Sequence, residues 1–151
     1  MQKLLVAVVI IISAAGLAAA SEQAEVMAPV HQFVDGFNKG DAPSALATCA
    51  SETAIIDEFA PFQWSGAGAC SAWASAYEVD AKKNGITEGF VTLGKPRHVD
   101  IVGDRAYVVV PANYSFKQNG KPMKEIASTF TLTLHKEAAG WRITAWSWSK
   151  Q

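Results

Sequence analysis

The sequence has few of the features that are typical of metal-binding, thiol redox or nucleic-acid-binding proteins. Its 151 residues include two cysteines and three histidines, and these form neither a CxxC pair nor a cluster of histidines. Metal binding and thiol redox chemistry depend on such spacing and are not indicated, and no cofactor is expected. The formal net charge is −1 and the lysines and arginines are dispersed, which argues against a nucleic-acid partner. With 50% hydrophobic and 18% charged residues, the chain has the composition of a folded domain.

A single long apolar run stands at the N-terminus. Lys3 precedes an uninterrupted apolar segment at residues 4–12, and residues 18–20 are all alanine. This order is typical of a secretory signal peptide that is cleaved after the third of these alanines. The alternative is an uncleaved membrane anchor, for which the apolar stretch is short. We predict a signal peptide at 1–20, a single domain at 21–151, a periplasmic or secreted location and no membrane contact after cleavage.

Cys49 and Cys70 are separated by a loop of roughly 20 residues. In an exported protein, two cysteines usually form one disulfide, and closing such a loop stabilises a fold by about 3 kcal/mol. Two buried free thiols are the alternative. We predict the disulfide.

The spacing of apolar residues predicts three helices followed mainly by strands. The helices cover residues 22–39, a short segment that starts at Asp41, and residues 66–84, with Gly40 at the end of the first. Strands are predicted at residues 53–59, 61–65, 86–102 (with a kink at 94–96), 105–116, 124–136 and 141–149. This is an α+β pattern. Because several of these strands are unusually long, we expect the sheet to curl and leave a pocket under the helices.

The order of elements and three local sequences resemble the NTF2-like superfamily, specifically its SnoaL-like and ketosteroid-isomerase-like members. The resemblance rests on VHQFVDGFNKGD at residues 30–41, on AIID at 54–57 and on GWRI at 140–143, and it extends over residues 24–149. It implies a cystatin/NTF2-like cone, in which three N-terminal helices pack on a strongly curved antiparallel sheet. The superfamily includes isomerases, cyclases, dehydratases, transport factors and proteins without known activity, so function has to be argued from the site.

The resemblance places Asp57 where the isomerase-like members carry a general-base aspartate. Burial among apolar groups raises the pKa of a carboxylate into a useful range, and Phe59, Phe62 and Trp64 are the predicted wall around it. A base also needs donors that stabilise the developing oxyanion. Here Phe33 and Ser128 stand where the isomerases have a tyrosine and a protonated aspartate, which argues against steroid isomerisation.

Two side chains are candidate replacement donors, and several aromatic residues are candidate pocket walls. Ser128 has a hydroxyl at the matching position, and Tyr114 is the better candidate; the alternative for Tyr114 is packing within the sheet. The candidate pocket residues are Phe33, Phe59, Phe62, Trp64, Trp73, Tyr77 and Phe130. For Trp73 and Tyr77, packing in the core between the third helix and the sheet is the alternative.

Trp146 and Trp148 share one face of the last strand. Together with a stripe of threonines at 129, 131 and 133, they predict an outer sheet face suited to burial in a homodimer. The alternative is that both tryptophans line the cavity.

Three functional hypotheses follow. The first is an exported domain that binds a small apolar or aromatic molecule. The second is a proton-transfer enzyme with Asp57 as base and Tyr114 or Ser128 as polar partner. The third is a dimeric protein-interaction module.

Overall fold

The computed structural model describes the backbone of residues 2–151 and the side chains of residues 16–151. Most of the predicted signal peptide lies outside the described side chains. Within the described part of the chain, no helix has the length and apolar character needed to cross a membrane.

Every predicted helix and strand is present; α1 begins twenty residues before the predicted start, and the other boundaries are shifted by a few residues. The helices are α1 (Gln2–Lys39), α2 (Ala42–Leu46) and α3 (Ala69–Asn84). The strands are β1 (Cys49–Ile56), β2 (Gln63–Ala67), β3 (Ile86–Leu93), β4 (His98–Val102), β5 (Arg105–Gln118), β6 (Lys121–Glu137) and β7 (Gly140–Ser149). The predicted strand at 86–102 is divided at the expected kink, where Gly94 and Pro96 stand between β3 and β4.

Local sequence explains why the first two helices are separate. Gly40 takes a left-handed backbone conformation with φ +67°, and its N–H donates to the carbonyl of Phe37 at 3.0 Å. Asp41 then caps α2, because its carboxylate accepts a hydrogen bond from the backbone N–H of Ser44 at 3.1 Å. The chain therefore reverses between α1 and α2 as the sequence predicts.

The strands form one sheet in the order β2-β1-β7-β6-β5-β3, with β4 also paired to β5. All pairs are antiparallel except β1 with β7. The prediction of an antiparallel sheet therefore holds with one exception: the last strand of the chain inserts between β1 and β6, and it runs in the same direction as β1.

Two of the register shifts in the sheet decide which side chains of β6 and β7 face the helices. Between β6 and β7 the register shifts around Thr144, and between β5 and β6 it shifts around Asn113. An extra residue in one strand changes the face on which every later side chain lies. As a result, Trp141 and Ile143 face inward before the first shift, and Trp146 and Trp148 face inward after it.

The core lies between the inner face of the sheet and helices α1 and α3. Its fully buried side chains come from both layers, and they include Val26, Val30, Ile55, Val108, Val110, Leu132, Leu134 and Ile143. The predicted disulfide between Cys49 and Cys70 is confirmed, and it joins the start of β1 to the first turn of α3. It thereby ties α3 to β1, the strand that ends just before Asp57.

Candidate functional site

A narrow cavity of about 80 Å³ opens between α1, α3 and the inner face of the sheet. Pockets for drug-sized ligands occupy roughly 300–1,000 Å³, so this one admits only a compact group. Nine of its thirteen lining residues are aromatic, and two are carboxylates. The lining residues are Phe33, Val34, Phe37, Asp57, Glu58, Phe59, Trp73, Tyr77, Val91, Tyr114, Phe130, Trp146 and Trp148.

Asp57 follows the last residue of β1 and presents its carboxylate to this cavity. One carboxylate oxygen accepts a hydrogen bond from the indole N–H of Trp73 at 2.8 Å, and the other accepts from the backbone N–H of Glu58 at 2.8 Å. Burial raises the pKa of Asp57 to about 6, although both hydrogen bonds act in the opposite direction. The carboxyl therefore changes protonation state close to neutral pH.

A second group of charged side chains lies beside Asp57 at the open end of the cavity. Lys150 Nζ lies 3.1 Å from Glu58 Oε2, and the indole N–H of Trp148 donates to Glu125 Oε2 at 3.2 Å. Burial, together with the neighbouring Glu58 carboxyl, raises the pKa of Glu125 to about 7. The cavity mouth thus carries three carboxyl groups and one ammonium.

Two tyrosines form the polar part of the opposite wall. The hydroxyl oxygens of Tyr77 on α3 and Tyr114 on β5 are 2.6 Å apart and hydrogen-bonded to each other. Burial raises the pKa of both hydroxyls, so both stay protonated at neutral pH. The backbone approaches them closely at Gly89, where a Cβ atom would lie 2.8 Å from the Tyr114 oxygen.

The structure brings most of the predicted site residues to this one cavity. Asp57 and Tyr114 line it, and five of the seven predicted wall residues do so as well. Those five are Phe33, Phe59, Trp73, Tyr77 and Phe130.

Three predicted residues do not line this cavity, and the prediction that Phe62 and Trp64 form part of its wall is wrong. Phe62 is 58% exposed, because it occupies a turn with φ +72° between β1 and β2. Trp64 is buried, but it packs behind Phe59 with ring centroids 5.2 Å apart and does not line the cavity. Ser128 is fully buried and does not line the cavity, and its hydroxyl has no hydrogen-bond partner among the described residues.

The expectation that Trp146 and Trp148 form an outer dimer face is also wrong. Both tryptophans line the cavity, which was the alternative to a position on the outer face. The register shift at Thr144 turns them inward. The threonines of β6 remain on the outer face, so the outer surface lacks the two large aromatic side chains that made it a candidate interface.

Sequence reasoning missed two polar groups of the site. The indole N–H of Trp146 has no hydrogen-bond partner among the described residues, although the side chain is only 4% exposed. Glu125 comes beside Trp148 because of the register shift at Asn113. That shift also leaves Ile126 68% exposed, although simple alternation places it inside. No sequence signal marks either shift.

The arrangement supplies an apolar aromatic cavity, a carboxylate that titrates near pH 6 and the hydroxyl pair of Tyr77 and Tyr114. Among the described residues, no three histidine, cysteine or acidic side chains are placed to hold a metal ion. Such a cavity can enclose a compact ligand, accept a proton or a hydrogen bond from it, and donate one to it.

Comparison with known proteins assigns the fold and the family. Residues 26–150 match the family model described as SnoaL-like domain. No curated protein matches the chain.

Three solved structures illustrate the similarity. A ketosteroid isomerase-like protein from Erwinia carotovora atroseptica has a TM-score of 0.67 and 20% identity, with 85% of this chain and 95% of that chain covered. An NTF2-like protein with a cystatin-like fold from Novosphingobium aromaticivorans gives 0.71 and 19%, with 91% and 86% covered. A candidate dehydratase of the NTF2-like family from Streptomyces avermitilis gives 0.70 and 16%, with 88% and 98% covered. At these identities the structures establish the cystatin-like α+β fold, and the matching family model establishes that the chain belongs to the SnoaL-like domain family.

Proposed function

We propose that this protein binds a compact apolar or aromatic molecule in the cavity beside Asp57. The observation that carries the proposal is the composition of the lining, in which nine aromatic side chains surround one buried carboxylate.

Filling the cavity tests this proposal. Val91 lines it from β3, and Val91→Phe adds a ring to a space of about 80 Å³. Val79 on α3 is 69% exposed, and Val79→Phe is the matched control. Native mass spectrometry of the protein purified from its own host should detect a bound small molecule in the parent chain and in Val79→Phe, and none in Val91→Phe. Equal occupancy in both variants would place the ligand elsewhere, and an empty parent chain would contradict the proposal.

A second candidate function is proton transfer on such a ligand, with Asp57 as general base. The observation that favours it is that a carboxylate with a pKa of about 6 shares its cavity with the hydroxyl pair of Tyr77 and Tyr114. A base is most effective when its pKa lies near the working pH, and the hydroxyl pair can donate to a developing oxyanion.

Hydrogen–deuterium exchange measures this activity without knowledge of the substrate. A compact ketone such as cyclopentanone should exchange its α-hydrogens faster with the parent protein than with Asp57→Asn, and the rate should rise with pH through about 6. Exchange at the buffer rate with both proteins would leave the binding proposal standing and remove the enzymatic one.

We also infer that the protein is exported to the periplasm or secreted. The N-terminal apolar segment and the disulfide of Cys49 and Cys70 support this. Expression of the full chain in a bacterium, followed by fractionation and N-terminal sequencing, should give a periplasmic product that begins at Ser21. A membrane-bound product that retains its N-terminus would favour the anchor alternative.

A further inference from the structure

Asp57 is a buried carboxylate without a cation of its own. Its two hydrogen-bond donors are the indole of Trp73 and the backbone N–H of Glu58, and both are neutral. None of the residues that line the cavity in the described part of the chain is a lysine, arginine or histidine. Nearby Lys150 makes its contact with Glu58. Buried charges in proteins are normally paired with the opposite charge, so a cationic ligand would stabilise the ionised form of Asp57.

The aromatic walls favour the same kind of group. Trp73 and Trp146 meet edge to face with ring centroids 4.9 Å apart, and Trp73 stacks on Tyr77 at 6.0 Å. Phe37 meets Tyr77 edge to face at 5.1 Å. The face of an aromatic ring carries negative electrostatic potential, and sets of such rings bind organic ammonium groups. A neutral apolar molecule could use these walls, but it would leave Asp57 unpaired.

The charges at the mouth of the cavity extend this preference outward. Glu58 lines the cavity and contacts both Glu125 and Lys150, and Lys150 is the single positive charge of this group of described residues. When all four side chains, including Asp57, are ionised, the group has an excess of negative charge. An anionic ligand would be repelled by it, and a cationic ligand would be attracted from solution.

We propose that the ligand is a compact organic cation, an amine or methylated ammonium whose charged head occupies the cavity against the aromatic rings and pairs with Asp57. The inference rests on the proposed function, namely that this cavity holds a small molecule, and it adds a positive charge to the otherwise apolar group that the cavity encloses. The space of about 80 Å³ suits the head group alone, so the remainder of the molecule extends through the open end.

The pH dependence of binding follows from the groups around Asp57. They are Glu58 beside it, Tyr77 on α3, Tyr114 on β5, Glu125 on β6 and Lys150 after β7. The described part of α1 contributes only apolar side chains to the cavity, namely Phe33, Val34 and Phe37. Both tyrosines stay neutral, so acidification removes negative charge and adds none. Since the pKa of Asp57 is about 6 and that of Glu125 about 7, binding of a cation should weaken as the pH falls through this range.

The test compares two probes that have the same shape and different charge. Choline and 3,3-dimethylbutan-1-ol differ only in that a quaternary nitrogen replaces a carbon. Quenching of tryptophan fluorescence measures both affinities, because Trp73, Trp146 and Trp148 line the cavity. At pH 8 and constant ionic strength, choline should bind at least about tenfold more tightly than the alcohol. At pH 5 this preference should shrink, while the affinity for the alcohol should stay constant or rise.

Asp57→Asn keeps the size of the side chain and removes its charge, so it should reduce the preference for choline to the part that the aromatic rings and the neighbouring glutamates supply. Asp100→Asn changes the net charge equally at an exposed position on β4, at the opposite side of the sheet, and should leave both affinities unchanged. Equal or tighter binding of the alcohol at pH 8 would overturn this inference and leave the proposed function intact. Binding of neither probe would overturn both. If Asp57→Asn is poorly folded, the inference is tested by the parent protein alone, whose preference for choline over the alcohol should be smaller at pH 5 than at pH 8.

Discussion

Replacing Asp57 by asparagine should stabilise the protein at neutral pH, although it removes the central polar group of the site. Burial raises the pKa of Asp57 from 3.8 to about 6, so the folded state holds the proton more tightly than the unfolded chain does. Stability therefore falls as the pH rises from about 4 to about 6 and stays lower above that range. A difference of roughly two pKa units corresponds to about 3 kcal/mol of lost stability when the carboxyl is ionised.

Asparagine removes that penalty but also removes one hydrogen bond. Its amide oxygen can accept from either Trp73 or the backbone of Glu58, and its NH₂ group cannot accept from the other. Losing one hydrogen bond costs about 1 kcal/mol, so the net gain at pH 7 should be about 2 kcal/mol. At pH 4 the native carboxyl is already protonated, and the gain should disappear.

Urea unfolding at several pH values between 4 and 8 measures this difference. Asp100→Asn serves as the charge-matched control and should show no gain that depends on pH. Subtracting the parent curve removes the contribution of Glu125, which titrates in the same range. If Asp57→Asn is less stable than the parent by the same amount at pH 4 and pH 8, the carboxylate is not desolvated and the reasoning about the cavity fails. Stabilisation that is accompanied by loss of ligand binding is typical of functional sites.

Three further predictions concern the scaffold. The double substitution of Cys49 and Cys70 by serine should lower the free energy of unfolding by about 3 kcal/mol in urea, and an unchanged midpoint would show that the disulfide does not constrain the unfolded chain. Gly89→Ala places a methyl group 2.8 Å from the Tyr114 hydroxyl, so it should separate the two tyrosines and change the near-ultraviolet circular dichroism, whereas an identical spectrum would contradict that contact. A homodimer through the outer sheet face remains a prediction, for which half-exposed Tyr107 is now the largest available aromatic group. Sedimentation velocity should show a dimer that Tyr107→Glu dissociates, and a monomeric parent would refute it.

The sequence was sufficient to predict the elements, the disulfide and the position of the acid. Gly40 and Asp41 mark a helix end and a helix start through local backbone chemistry, and these signals do not depend on distant parts of the chain. The strand that ends before Asp57 can likewise be recognised from its β-branched residues. These are short-range properties, and the structure reproduces them within a few residues.

Which side chains meet in the cavity depends on long-range features. Alternation along a strand has a period of two, so one additional residue changes the face of everything that follows. The shift at Thr144 places Trp146 and Trp148 inside, and the shift at Asn113 exposes Ile126 and brings Glu125 to the mouth of the cavity. Neither shift can be predicted from the residues that surround it in the sequence. They arise from pairing between strands, and so do the contacts that give Asp57 its neutral donors and leave it without a cation. The sequence alone determined the scaffold and its acid, while the pairing of strands in the tertiary structure decided what surrounds that acid.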